Sequence, residues 1–177
     1  MKIYLVRHGQ TDWNVQMMAQ GQTDIPLNQT GIEQAEALRD RVRDYDFDIC
    51  YCSPLVRAVK TAEIVVDGRC KVVKDKLLVE RSFGKYEGTT PTDDWLKYWR
   101  LDYHDDEMGM EPLTAVFERS REFFEKIKKN HPADAKILVV GHGGMLKTLH
   151  YNIVGYDQNT DFMNVHFKNG DIWEYEV

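Results

Sequence analysis

Long apolar runs and paired cysteines are both missing from this sequence. The first apolar stretch, residues 3–6, is shorter than the core of about 7–15 apolar residues in a signal peptide. A later one, residues 137–140, is far short of the roughly 20 residues that cross a membrane. Cys50, Cys52 and Cys70 lack the spacing of a disulfide framework or a cysteine-rich zinc site. We therefore expect a cytoplasmic protein with no membrane partner, whose cysteines are buried thiols.

A surplus of positive charge is missing as well. The 177 residues carry 23 Lys and Arg against 29 Asp and Glu, a formal net charge of −6, so no generally basic surface is available for nucleic acid. An anionic substrate therefore needs a local group of cations. The composition is that of a soluble globular chain, and no linker, repeat or low-complexity tract divides it. We expect a single domain over residues 1–177.

Short apolar runs alternate with amphipathic segments along the chain. The predicted strands are residues 2–6, 48–52, 71–74 and 136–140. Helices are predicted from Thr30, where Thr30 and Glu33 have capping-box spacing, and over 54–66 with Ser53 as the N-cap. Two more are predicted over 111–129 and 145–154, and a hairpin at 165–175 around Asn169-Gly170.

This alternation predicts an α/β fold, a three-layer sandwich in which helices flank a mostly parallel central sheet. Residues 83–111 show weaker periodicity, and we expect them to form a small cap insertion. In such folds, ligands bind beyond the carboxyl ends of the strands. The expected site is marked by three residues at such ends. Arg7 and His8 come after the strand at 2–6, and His142 comes after Gly141 at the end of the strand at 136–140.

Five side chains at or near this edge suit phosphate chemistry. Arg7 and Arg57 offer planar sets of N–H donors, and Arg57 lies in the first turn of a predicted helix, where free backbone N–H groups also favour anions. His8, when neutral, is a nucleophile towards phosphorus. His142 precedes a glycine-rich turn, from which it can donate a hydrogen bond to the same oxygens. Glu80 follows an apolar run and is a candidate proton donor to the leaving oxygen.

Two other interpretations of these residues stay open. A non-catalytic phosphate-binding module would need the two arginines but neither His8 nor Glu80. A metallohydrolase would use His8, His142 and Glu80 as ligands, although neighbouring arginines oppose a divalent cation. Insensitivity to chelators separates the metallohydrolase from a metal-free enzyme.

Five motifs extend over most of the chain. In order they are LVRHGQTDWN at 5–14, QGQTDIPLNQTG at 20–31, SPLVRA with TA at 53–58 and 61–62, ERSFG with EG at 80–84 and 87–88, and VGHGG at 140–144. Together they resemble the histidine phosphatase superfamily, also called the phosphoglycerate mutase-like family, and its phosphatase branch in particular. Met18 and Met110-Glu111-Pro112 depart from the family pattern, which often has Arg and Gly-Glu-Ser there, whereas Arg119 matches it.

The resemblance implies a phosphoglycerate mutase-like fold and a histidine acid phosphatase-type phosphomonoesterase. His8 would carry the phosphoryl group, and Glu80 would protonate the leaving oxygen and then accept a proton from water. The groups that would hold the phosphoryl oxygens are Arg7, Arg57 and His142. The substrate-binding positions that the resemblance implies are Asn14, Gln20, Gly21 and Gly143. It implies a small phosphorylated substrate, no cofactor and no metal, since the guanidiniums supply the positive charge.

A phosphoglycerate mutase-type phosphoryl transferase is the alternative. Such family members are longer and carry an adjacent Arg-Arg pair in the excursion, but no Arg-Arg pair occurs here. Residues 88–111 instead hold seven acids against two bases, a local charge of −5 that repels a polyanion. The same segment carries aromatic side chains that either line the leaving-group side or pack the excursion onto the domain: Trp95, Tyr98, Trp99 and Tyr103. We expect a phosphatase for an ester of a neutral, partly apolar alcohol, such as α-ribazole phosphate, a nucleotide or a sugar phosphate.

The remaining polar residues have weaker settings. Surface or structural roles are expected for His104, His131, His150 and His166. Asp12 and Asp24 are expected to cap turns. The C-terminal hairpin, with Trp173 and Tyr175, offers an edge for a homodimer or packs on its own domain.

Overall fold

A five-stranded sheet forms the centre of the protein in a computed structural model, which describes residues 1–103, 107–157 and 159–177. The strands are β1 (Lys2–Arg7), β2 (Ile49–Cys52), β3 (Lys71–Lys74), β4 (Lys136–Gly141) and β5 (Ile172–Glu176). Their order is β3-β2-β4-β1-β5. The first four strands run parallel, and β5 pairs antiparallel with β1. This confirms the mostly parallel sheet that the sequence predicts.

Helices flank the sheet. They are α1 (Asp12–Val15), α2 (Gln29–Arg41), α3 (Val56–Val66), α4 (Leu113–Asn130) and α5 (Gly143–Val154). The short α1 has no counterpart in the sequence prediction, and α4 and α5 begin two residues away from their predicted starts. Across the described residues, no helix has both the length and the apolar character needed to cross a bilayer.

Two predicted helix caps are wrong. Asn28 rather than Thr30 caps α2, because the Asn28 side chain accepts the N–H of Gly31. Ser53 does not cap α3, because its hydroxyl accepts the N–H of Leu55 in the turn before the helix. Asn28 thus takes the bond that spacing had assigned to Thr30, whereas the N-cap position of α3, Leu55, has no side-chain cap.

The two central strands build a core on each face of the sheet. Side chains of a strand alternate between faces, so Ile3 and Leu5 pack into one cluster and Tyr4 and Val6 into the other. The first cluster includes residues of α4 and α5, and the second includes residues of α2 and α3. The helix–sheet–helix layering confirms the three-layer prediction.

The predicted C-terminal hairpin is wrong in its first half. Only β5 forms a strand, and it pairs with β1 instead of with residues 165–168. Val165 and Phe167 are buried in the core that includes α4 and α5, and this packing takes the place of strand pairing. The Asn169-Gly170 turn does form, since the N–H of Asp171 bonds back to the carbonyl of Lys168. A homodimer through the β5 edge stays a prediction.

The described residues of the predicted excursion at 83–111 include short 3-10 segments at Gly84–Tyr86 and Asp93–Trp99. Arg81, which is fully buried, holds it to the domain through bonds to the carbonyls of Glu111 and Tyr98. Some of the acidic residues predicted to give this segment its negative charge lie outside the described residues: Asp105, Asp106 and the side chains of Asp93 and Asp94. His104 also lies outside them.

The cysteines are only partly as predicted. Cys50 and Cys52 on β2 are buried, in agreement with the expectation. Cys70 is half-buried, because it precedes β3 at the edge of the sheet.

Candidate active site

The register of β1 and β4 brings the two histidines of the predicted site together. Arg7 lies opposite Gly141, so the next residues, His8 and His142, leave adjacent strand ends. Their ring centres are 5.1 Å apart and both side chains are buried. Arg57, in the first turn of α3, enters from beside the neighbouring strand β2. The sequence alone placed these residues at or near one edge, and the structure brings them together. Arg7, His8 and Arg57 line a cavity of about 240 Å³, and His142 lies behind it against Arg57 and His8.

His8 is held as a neutral imidazole with one nitrogen free. Its Nδ1 lies 2.7 Å from the carbonyl oxygen of Gly9. Because a carbonyl only accepts, Nδ1 carries the proton and Nε2 keeps its lone pair. Burial lowers the pKa of His8 well below its usual value, and the charges of Arg57 and Arg7 lower it further. The imidazole therefore remains unprotonated and nucleophilic at neutral pH.

Arg57 fixes the opposite tautomer in His142. Arg57 donates its Nε–H to Nδ1 of His142 at 3.2 Å, so the ring proton of the neutral His142 is on Nε2. The other guanidinium nitrogens donate to the carbonyls of Thr23, at 2.9 Å, and Gly21, at 2.7 Å. Burial lowers the pKa of Arg57 to about 10, which leaves it charged at neutral pH. Burial and the neighbouring cations also lower the pKa of His142 well below its usual value.

Two buried N–H donors lack a partner within the described parts of the chain. They are Nε of Arg7 and Nε2 of His142. Arg7 is anchored by another nitrogen, Nη1, which donates to the carbonyl of Phe167 at 2.7 Å. Buried donors without partners are costly in a folded protein. Their convergence beside His8 is the pattern expected of a site that an oxyanion completes.

Glu80 is fixed at the N-terminus of α5. One carboxylate oxygen accepts the N–H of Gly144 at 2.9 Å, and the other accepts those of Met145 at 2.9 Å and Arg81 at 2.8 Å. A Cβ atom at position 144 would come within 2.7 Å of the carboxylate, so the close approach needs glycine there. Glu80 is buried and lines the same cavity as His8.

The four predicted substrate-binding positions, Asn14, Gln20, Gly21 and Gly143, all line this cavity. Asn14 reaches it from α1, where its side-chain oxygen accepts the N–H of Thr11 in a reciprocal cap. The buried Oε1 of Gln20 has no partner among the described residues. A Cβ atom on Gly143 would lie only 3.6 Å from Arg7.

Glu87 is a functional candidate that the sequence analysis quoted without a role. Its carboxylate accepts the N–H groups of Gln22, Thr23 and Phe83 at 2.9–3.1 Å. It thereby fixes the loop whose carbonyls hold Arg57. Its place seven residues after Glu80 in the same motif was the only sequence signal.

The carbonyl oxygen of His8 is held by Asn169, which sequence analysis assigned only to a turn. Its Nδ2 donates to that oxygen at 2.8 Å. Nothing in the sequence distinguishes this Asn from any other turn residue, because the contact joins positions 161 residues apart.

Aromatic and polar side chains away from the strand ends also line the cavity. Trp95 and Trp99 line it, whereas Tyr98 and Tyr103 pack within the excursion. The sequence left open whether these aromatic residues line the site or pack the excursion, and the structure shows both roles. Lys147, which the sequence analysis did not single out, also lines the cavity. Its spacing of three or four residues from Gly143 and Gly144 on α5 was the available signal.

The other weakly placed polar residues divide into three groups. His166 is exposed but lines the cavity, so it is more than a surface residue. His131 and His150 are structural, and bond to Tyr51 and Tyr175. Asp24 accepts the N–H of Val56 at the start of α3, and Asp12 accepts from the side chain of Asn28.

The family model of the histidine phosphatase superfamily (branch 1) matches residues 3–177. The chain belongs to this superfamily. The resemblance drawn from the motifs is confirmed, and the superfamily's known structures share the fold. One of them, the phosphoserine phosphatase of Entamoeba histolytica in complex with 3-phosphoglyceric acid, has a TM-score of 0.83 and 29% identity, and the match covers 98% of this chain and 89% of that one.

Curated members of the superfamily that resemble the chain include both phosphatases and mutases. An uncharacterized phosphatase, PhoE, of Bacillus subtilis is 36% identical over 94% of this chain and 86% of its own length. A 2,3-bisphosphoglycerate-dependent phosphoglycerate mutase of Cytophaga hutchinsonii is 30% identical over 83% of this chain and 74% of its own length. Both activities considered from the sequence are therefore found among its relatives.

Proposed function

We propose that this superfamily member is a phosphomonoester hydrolase of histidine acid phosphatase type that works through a phosphohistidine on His8. The observation that carries the proposal is the hydrogen bond from His8 Nδ1 to the Gly9 carbonyl, because it leaves a neutral Nε2 as the attacking atom. The unpaired donors of Arg7 and His142 beside that atom support the same conclusion.

In the first step, Nε2 of His8 attacks phosphorus and the bond from phosphorus to the ester oxygen breaks. Arg7, Arg57 and His142 donate hydrogen bonds to the three equatorial oxygens, where charge is held in the transition state. The leaving oxygen takes a proton from Glu80, which the N-terminus of α5 holds in place. The products of this step are the alcohol, phospho-His8 and the Glu80 carboxylate.

In the second step, water attacks the phosphorus of phospho-His8. Glu80 now accepts a proton from that water, and the bond from phosphorus to Nε2 breaks. Inorganic phosphate leaves with neutral His8 regenerated and Glu80 protonated again. The same donors that held the first transition state hold the second, so one arrangement of side chains serves both steps.

No metal is required in this scheme, because the two guanidiniums supply positive charge at the phosphate. Two observations favour this scheme over the alternative metal site. Arg57 donates to Nδ1 of His142, so the ring proton is on Nε2 and neither nitrogen offers a free lone pair, and no three His, Cys, Asp or Glu side chains among the described residues are grouped as metal ligands. Turnover in the presence of EDTA tests this part of the proposal.

The substrate in this proposal is a small phosphorylated metabolite. A cavity of about 240 Å³ is of the size that suits a small phosphorylated molecule. Trp95 and Trp99 line it from the 83–111 segment, which supports a role for this segment as a small cap on a single catalytic domain over residues 1–177.

A mutase-type transferase is the second candidate, favoured by the similarity to the Cytophaga enzyme. A mutase would pass the phosphoryl group from His8 to a second alcohol instead of to water. The acidic 88–111 segment opposes the highly charged substrates of such a reaction. Release of inorganic phosphate, measured beside transfer to an added alcohol, separates the two activities.

The test is to trap the intermediate. Wild-type protein is mixed with ³²P-labelled p-nitrophenyl phosphate in the presence of EDTA, and the reaction is quenched in alkali. Phosphohistidine is stable in alkali, whereas acid hydrolyses it. We expect label on wild type, none on His8→Ala, and wild-type labelling of a control, His131→Gln, whose ring bonds to Tyr51 away from the cavity. Steady turnover without label would overturn the mechanism. If the protein binds phosphate but hydrolyses none of the esters, the phosphatase proposal is wrong and the protein is a phosphate-binding module.

A further inference from the structure

Arg119 and Glu111 form a half-buried ion pair that the mechanism above does not use. Nε of Arg119 lies 2.8 Å from one carboxylate oxygen of Glu111, and Nη2 lies 3.1 Å from the other. The two side chains are only 14% and 19% exposed. Neither of them lines the cavity that contains His8 and Glu80, so any effect of the pair on the reaction must pass through other residues.

The guanidinium of Arg119 also binds the chain on the N-terminal side of Glu80. Its Nη1 donates to the carbonyls of Leu77, at 2.8 Å, and Val79, at 2.7 Å. Val79 directly precedes Glu80 in the chain. A guanidinium keeps its donors in a rigid plane, and its other two nitrogens are fixed by the carboxylate. The two carbonyls are therefore held in one set position.

Glu111 binds the chain on the other side of Glu80. Its Oε2 accepts the N–H of Ser82 at 3.1 Å, and its backbone N–H donates to the carbonyl of Ser82 at 2.9 Å. Its own carbonyl accepts Nε of Arg81 at 2.7 Å. The ion pair thus fixes the backbone before and after Glu80, while the N-terminus of α5 holds the carboxylate itself.

The hold of α5 on Glu80 changes during the proposed reaction, whereas that of the ion pair does not. The N–H groups of Gly144 and Met145 bond more strongly to a carboxylate than to a neutral carboxyl group, because hydrogen bonds to charged acceptors are the stronger ones. Glu80 is protonated when it donates to the leaving oxygen, so α5 holds it least firmly at that step. Arg119 and Glu111 bind the backbone, and the protonation of Glu80 leaves their bonds unchanged.

We propose that Arg119 and Glu111 are positioning residues for Glu80, and that they set the distance between its carboxyl group and the leaving oxygen. The proposal rests on the proposed function, in which Glu80 is the proton donor. Such a donor lies within about 2.6–3.2 Å of the atom that takes the proton, and a displacement of about 1 Å can cost about 10² in rate. A carboxyl group on a segment fixed at both ends keeps this distance.

The test uses the leaving group to separate positioning of Glu80 from general support of the fold. Propanol needs a proton to leave phosphorus, whereas p-nitrophenolate does not. In single-turnover reactions, we expect Arg119→Met to slow propanol release from propyl phosphate by about tenfold to a hundredfold. Release of p-nitrophenol from p-nitrophenyl phosphate should change by less than about threefold. Arg121→Met, an exposed change on the same helix, should alter neither rate.

Glu111→Gln is the milder variant for the same comparison. The amide keeps one accepting oxygen but loses the charge that fixes the guanidinium, so we expect the same pattern with a smaller loss on propyl phosphate. Because this change removes no bulk, it carries the test even if Arg119→Met does not fold. Equal losses on the two esters in these variants would overturn the proposal and assign the pair to the fold alone.

A double variant checks that Arg119 acts through Glu80. Once Glu80→Gln has removed the proton donor, adding Arg119→Met should change propanol release by less than about threefold. If the two losses instead multiply in full, Arg119 acts independently of Glu80 and the proposal is wrong, although the phosphatase proposal stands. If wild type hydrolyses neither ester, the proposed function itself fails, and this proposal fails with it.

Discussion

Arg57 donates a hydrogen bond to Nδ1 of His142, so a residue proposed to bind phosphate also sets the tautomer of its neighbour. A lysine at position 57 would keep the charge but could not make this bond together with those to Gly21 and Thr23.

We therefore expect Arg57→Lys to lower kcat by about 10²–10³, the usual cost of losing one donor in the transition state. Steady-state hydrolysis of p-nitrophenyl phosphate measures it, with Arg39→Lys on the exposed face of α2 as the matched control. A variant that stays within threefold of wild type would show that charge alone is sufficient.

Glu80→Gln tests the proton transfer. The amide cannot donate a proton to an alkoxide, so we expect kcat to fall by about 10²–10⁴ on an alkyl phosphate. The loss on p-nitrophenyl phosphate should be much smaller for the first step, because nitrophenolate leaves without a proton. Single-turnover measurement of both esters compares these losses. Equal losses on the two would assign Glu80 to positioning instead of proton transfer.

Glu87→Gln tests the support of the loop at Gly21. The amide loses one oxygen that accepts backbone N–H groups, and we expect about 1–3 kcal/mol of stability to be lost. Arg57 then loses its fixed carbonyls, so kcat should fall by about tenfold while binding of inorganic phosphate changes less. Urea unfolding and phosphatase assays measure the two effects. The control, Glu174→Gln, breaks an exposed pair with Lys2 and should change stability by at most about 0.5 kcal/mol.

Acid should destabilise the protein through its buried histidines. His8 and His142 have pKa values lowered in the folded state, so below about pH 6.5 the unfolded chain binds protons that the folded one does not. The free energy of unfolding therefore falls as pH drops below that value. His142→Gln removes one of these groups and should lessen the fall between pH 7 and 5.5 by about 1 kcal/mol. Urea titrations at both pH values measure it, and identical falls in the two proteins would contradict the assignment.

Much of the fold and site could be predicted because their signals are local. Continuous apolar runs identified β1 and β4, and their polar continuations identified Arg7, His8 and His142. Parallel strands end at one edge, so the placement of these residues followed from the pattern of elements. Arg57 followed from its place in the first turn of a predicted helix and Glu80 from its place after an apolar run, and the motifs agreed with both.

The predictions that failed, and the site residues that were missed, depend on contacts between distant parts of the chain. The C-terminal turn signal favours a local hairpin, but β1 offers β5 a longer partner, and residues 165–168 are buried instead. Asn169, Glu87 and Lys147 acquire their settings only when loops and α5 meet. A lysine on an otherwise apolar helix looks like a surface residue until Trp99 and Met163 cover it.

The position of β1 in the sheet also governs when the site can form. Its two neighbours, β4 and β5, come from residues 136 onward, so during synthesis His8 leaves the ribosome long before the strands that pair with β1. Contacts this far apart in sequence slow folding, because the intervening chain must be ordered first. A nascent chain that stops before β4 contains His8 and Arg57, but it lacks both strands with which β1 pairs. The candidate active site is therefore among the last parts of the molecule to be assembled.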